Sequence, residues 1–81
     1  MTDVSTMFDA ISSLLRETLD QPNLKVDITT SAKDVPGWDS LAHIRLIISI
    51  EEKYDIRLLQ SDIENSQNVE DLVSAVSRRL I

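Results

Sequence analysis

The sequence predicts an all-α domain of four helices, three long and one short, with a long loop between the first and second. Three observations carry this. Helix breakers are scarce, with one Gly and two Pro in 81 residues, while Leu, Ile, Glu and Ser abound. Apolar residues recur at steps of three and four in three separate stretches. Residues 22–38 lack that period and hold both prolines and the glycine.

Met1 to Asp20 reads as the first helix. Val4, Phe8, Ile11, Leu15 and Leu19 form its apolar stripe, widened by Met7 and Leu14. Asp9, Arg16 and Glu17 are expected to face water. Asp3 is placed to cap the start, and Pro22 stops the helix shortly after Asp20. In the loop that follows, Leu24, Val26 and Ile28 alternate with Lys25 and Asp27, which suits a short extended piece pinned across the bundle. Val35-Pro36-Gly37 then reads as a turn.

The second helix begins at Asp39 or Ser40 and runs to about Tyr54. Leu46, Ile47, Ile50 and Tyr54 fall on one face, enough to pack on a neighbour. Leu41, Ile44 and Ile48 fall on another, rotated well away from the first. Two stripes mean burial on two sides or one exposed docking surface, and periodicity leaves both open. Gln60 to Asn65 suits a short helical turn with Ser61 as cap and Ile63 pointing in. Asn68 opens the last helix, with Asp71 three residues on as a short version of a capping box. Val69, Leu72, Val73, Val76 and Leu80 give its stripe, and Arg78 and Arg79 suit the negative end of its dipole.

A chain this short buries only about 60–65% of its unfolded surface, so its core is thin. We expect one domain over residues 1–81. With no cysteine, disulfides, thiolate zinc sites and cysteine nucleophiles are excluded. No signal peptide or apolar run of transmembrane length is visible, so a cytoplasmic location is expected. The net charge of −6 opposes nucleic-acid binding and docking on anionic membranes, and favours basic partners.

Ser40, His43 and Asp39 lie within five positions of one helix. A hydrolytic triad needs the imidazole to reach the serine with one side and the acid with the other, which this spacing does not allow. His43 points to the core side, which suits a partly buried, hydrogen-bonded ring touching the loop. Asp55, Asp62 and Glu64 do not have the spacing of a calcium loop and read as a solvated rim. No catalytic or metal-ligating residue is expected. Ser40 is different. A serine at a helix start stands beside free N–H groups and the positive end of the dipole, where a phosphodiester is favoured. Gly37 lets the chain turn sharply before it. Spacing alone also fits a simple cap.

Gly37-Trp38-Asp39-Ser40-Leu41, followed by a Leu- and Ile-rich helix that ends Glu51-Glu52-Lys53-Tyr54-Asp55-Ile56, resembles the motif around the modified serine of acyl carrier proteins. The likeness covers nearly the whole chain. It implies an acyl-carrier-type bundle and 4′-phosphopantetheine attached to Ser40 by a phosphopantetheinyl transferase. Asp39 would help position that enzyme, and Leu41 would pack beside the root of the arm. Ile44 and Ile48 match positions that meet partner enzymes, which favours the docking reading of the second stripe. Glu51 and Glu52 match an acidic rim read by basic partners. The implied partners are an acyl- or aminoacyl-loading ligase and downstream transferases or synthases, and the protein would be a monomer. Ala42 and Arg45 depart from the carriers of housekeeping fatty-acid synthesis, which usually have acidic residues there. This implies a dedicated pathway, such as a polyketide, peptide, lipopolysaccharide or aminoacyl route. The alternative is an unmodified interaction module that docks through Leu41, Ile44 and Ile48.

Overall fold

The computed structural model describes residues 4–80. Four helices follow in order, α1 (Val4–Leu19), α2 (Ser40–Tyr54), α3 (Gln60–Asn65) and α4 (Val69–Leu80). The expected three long helices, one short helix and long first connection are all present. The expectations for residues 1–3, including Asp3 as a cap, lie outside the described residues.

In α1 the stripe of Met7, Ile11 and Leu15 is buried, with Phe8, Leu14 and Leu19 packed at its margins. Val4, assigned to that stripe, is exposed at the first turn. Arg16 does not simply face water. The loop folds back over the last turn, and Arg16 Nε donates to the Leu24 carbonyl at 2.8 Å. Asp20 ends the helix in the left-handed region at φ 54°. Its N–H donates to Glu17 O at 3.2 Å and that of Gln21 to Arg16 O at 2.9 Å, the paired bonds of a Schellman end. The stop thus precedes Pro22 and does not depend on it.

The loop holds no strand among the described residues. Leu24 and Val26 do pack on the core, but Ile28 is exposed. The alternation breaks because Asp27 starts a turn. Its Oδ1 accepts from the Thr29 N–H at 2.8 Å and the Thr29 hydroxyl at 2.6 Å. These bonds hold the Asp27 carboxyl below the usual range. The loop then caps α4. Ile28 O and Thr30 O accept the N–H groups of Glu70 and Val69, both at 3.0 Å, and Ser31 bridges to Asn68. The first amides of α4, which lack helical partners, are satisfied this way.

α2 buries Ala42, Leu46, Ile47 and Ile50. It ends on Asp55 at φ 54°, whose N–H and that of Ile56 both reach Glu51 O. Ser61 is not the cap of α3. Leu59 holds the cap position, and Asp62 reaches back to accept its N–H at 3.3 Å. Asp62 serves that purpose because it sits three residues into the short helix. Ile63 points in as expected, half-buried against the core. At α4, Asn68 Oδ1 accepts from the Asp71 N–H at 2.9 Å, while Asp71 reaches one residue further back, to Gln67 N at 3.0 Å.

α1 packs against both α2 and α4, and α3 leans on α4. The core is one layer between them, with Ile11, Leu15, Leu46, Ile50, Leu72 and Val76 fully buried. Arg78 and Arg79 of α4 lie 3.0 and 3.7 Å from the two Asp62 oxygens, tying α3 down. No helix among the described residues is long and apolar enough to cross a membrane.

The start of helix two and its groove

The approach to α2 is a type II turn. Pro36 and Gly37 are its central residues, Gly37 has φ 89°, and the Trp38 N–H closes it onto Val35 O at 3.2 Å. The positive φ is what requires glycine, since a Cβ there would meet only Gln21 Nε2 at 3.6 Å. Gln21 also donates to Pro36 O at 2.7 Å, so the turn is anchored to the end of α1.

Asp39, not Ser40, caps α2. Its Oδ1 accepts the Ala42 N–H at 2.9 Å and its carbonyl accepts that of His43 at 2.8 Å. Ser40 is the first helical residue, exposed, and its hydroxyl makes no hydrogen bond among the described residues. The capping explanation for Ser40 therefore fails. The Ser40 and Leu41 amides have no carbonyl one turn earlier to bond, so they and the helix dipole face the space around Ser40 Oγ. An exposed hydroxyl with that donor set suits a phosphodiester.

Trp38 is buried, and its indole N–H donates to His43 Nδ1 at 3.2 Å. The two rings are tilted 31° with centroids 6.0 Å apart. His43 Nδ1 is thus the acceptor, which leaves Nε2 as the donor, 3.4 Å from Ile63 O on α3. This chain links loop, α2 and α3, as the reading of a partly buried histidine anticipated. It also occupies both ring nitrogens, so His43 cannot act as a base for Ser40.

An open groove of about 820 Å³ runs beside Ser40. Trp38, Asp39, His43 and Ile44 line it from α2 and its approach, and Lys33, Ile63 and Glu64 from the loop and α3. Sequence reasoning missed Lys33, Ile63 and Glu64 as neighbours of Ser40. They come from distant segments and carry no shared spacing.

The second stripe of α2 is exposed. Leu41, Ile44 and Ile48 show 58%, 52% and 48% of their surface. Of the acidic pair, Glu52 is exposed, while Glu51 is half-buried and its Oε2 accepts the Leu58 N–H at 2.8 Å.

A sequence model of the family described as "Phosphopantetheine attachment site" matches residues 9–76. An acyl carrier protein of Phenylobacterium zucineum is 31% identical over 77 residues, 95% of this chain and 98% of that one. One from Exiguobacterium sibiricum is 28% identical over 80 residues, 99% of this chain and 100% of the other. The solution structure of holo acyl carrier protein from Geobacter metallireducens superposes with a TM-score of 0.83 at 34% identity, covering 91% of this chain and 85% of that one. The chain belongs to the acyl carrier protein family, whose members bear phosphopantetheine and carry acyl groups without catalysing their chemistry.

Proposed function

We propose that Ser40 Oγ is the atom that bears the phosphopantetheine and that the Leu41, Ile44, Ile48 face of α2 is read by partner enzymes. One observation carries this reading. Ser40 is exposed at the first residue of α2, and its hydroxyl has no hydrogen-bond partner among the described residues, because Asp39 has taken over the cap. When bound, the arm supplies a terminal thiol that holds the acyl group as a thioester, which suits a chain with no cysteine of its own.

The other residues act around that atom. The free amides of Ser40 and Leu41 favour negative charge beside Oγ. Asp39 keeps one oxygen for the cap, and its other oxygen is available to position the transferase. Leu41, exposed next to Ser40, packs at the root of the arm. Ile44 and Ile48 extend the contact, and Glu52 ends it with an exposed carboxylate. Glu51 adds less, since one of its oxygens already ties down the α2–α3 connection. The partners of such a carrier are a phosphopantetheinyl transferase and biosynthetic enzymes. Arg45 and Ala42 support a dedicated pathway over housekeeping fatty-acid synthesis. The reading treats residues 1–81 as one carrier domain acting as a monomer, and it goes with the cytoplasm, where chains without disulfides are common.

Intact-mass spectrometry tests the reading. The protein is incubated with coenzyme A and a broad-specificity transferase, beside Ser40→Ala. The hydroxyl has no partner among the described residues, so the variant should keep its stability within about 0.5 kcal/mol. One phosphopantetheine is expected on the native chain and none on Ser40→Ala. A gain that survives in Ser40→Ala would move the site. No gain from either this transferase or extract of the native host, on folded protein, would leave an unmodified docking module.

A further inference from the structure

We infer that Arg45 is a specificity residue of the α2 docking face and that the partner enzyme seated there presents a carboxylate to it. The inference rests on the docking reading above and names the chemistry of the partner.

Arg45 differs from the other helical cations. Arg16 donates to the Leu24 carbonyl, Arg78 and Arg79 pair with Asp62, and Lys53 lies 6.0 Å over the Tyr54 ring. Arg45 is exposed and has no hydrogen bond, ion pair or ring contact among the described residues. Its helical neighbours explain why. The positions three and four away are Leu41, Ala42, Ile48 and Ser49, so no acid on α2 can reach it.

Its place on the helix matters as much. At about 100° per residue, Arg45 stands roughly 40° from Leu41 and 60° from Ile48 around the axis. Arg45 flanks the stripe, about 100° from Ile44, so a surface seated on Leu41 and Ile48 meets the guanidinium at its rim. Removing that group from water without a partner is costly. The planar fork of a guanidinium matches a carboxylate in two parallel hydrogen bonds. A basic surface, which the net charge of −6 would otherwise attract, meets a like charge at this point. Overall charge therefore draws basic proteins in, and Arg45 rejects those without a carboxylate at the right place.

The test places a benzophenone amino acid at Ser49, beside Arg45 and outside the apolar stripe, and irradiates the full-length chain in its native host. Cross-linked partners are identified by peptide mass spectrometry. The same experiment is run with Arg45→Glu, and phosphopantetheine on Ser40 is measured by intact mass in every sample. We expect a partner enzyme whose cross-linked region contains Asp or Glu. Arg45→Glu should lower its yield roughly tenfold or more. Reversing the partner's carboxylate to Lys should restore capture of the Arg45→Glu chain. An undiminished yield with Arg45→Glu would overturn the inference, as would a loss that no charge reversal repairs. No cross-link from the Arg45 chain would overturn the docking face itself. Absent phosphopantetheine would count against the carrier reading separately, because Ser40 loading is read on its own channel.

Discussion

At Asp39 two tasks meet in one side chain. One oxygen accepts the Ala42 N–H and so starts α2, while the side chain itself stays exposed beside Ser40. Asparagine caps as well as aspartate but carries no charge. Asp39→Asn should therefore keep the stability of the native chain and slow phosphopantetheine loading. Asp39→Ala should lose about 1 kcal/mol in urea unfolding and load slowly as well. Native loading rates for Asp39→Asn would reduce Asp39 to a cap. From the sequence the helix begins at Asp39 or Ser40, and spacing alone lets Ser40 serve as its cap. Periodicity sees where a helix begins to within a residue or two, and only the hydrogen bond says which side chain closes it. Trp38 and His43 show the same limit. A buried ring touching the loop was legible, whereas the indole-to-imidazole bond was not.

The short third helix depends on its neighbours. Six residues are too few to hold helical structure alone. α3 is kept in place by Ile63 against the core and by Asp62, which accepts from Leu59 and from Arg78. The Arg78 hydrogen bond is the largest cause that holds the Asp62 carboxyl below its usual range, with Arg79 adding its charge. A carboxyl depressed in the folded state binds fewer protons there than in the unfolded chain. Its contribution is thus present at neutral pH and fades as the pH falls below about 4. Arg78→Ala should accordingly lower the urea midpoint near neutral pH and leave it unchanged in strong acid. Equal losses at both ends would show that Arg78 acts through packing alone. That arginines would end α4 was legible from the sequence. That they reach across to α3 was not, because Asp62 lies 16 residues away from Arg78.

Across the whole molecule, the Cα radius of gyration is 11.4 Å, close to the roughly 12 Å of a compact chain this long. One apolar layer therefore carries nearly all the burial. Total stability for such a domain is on the order of 4–12 kcal/mol, so a single cavity is a large fraction of it. Leu46 and Ile48 are two residues apart on α2, yet one is fully buried and the other half exposed. Leu46→Ala should cost about 2–5 kcal/mol. Ile48→Ala should stay within about 0.5 kcal/mol and instead weaken capture by partner enzymes. Comparable losses in urea unfolding would mean that both stripes of α2 serve the core.

Local pattern determined the class of this fold. Four helical segments, their order and most of their buried faces follow from apolar spacing, because the helical period is a property of the chain itself. The Gly37 turn and the Ser40 position belong to that local level too. The tertiary structure decided what spacing leaves open. The second stripe of α2 faces solvent because α1 packs only on the first. Residues 28–31 cap α4, because the first amides of α4 need acceptors that the loop carbonyls supply. Both outcomes depend on which segments meet in space, and contacts between distant residues leave no period in a sequence.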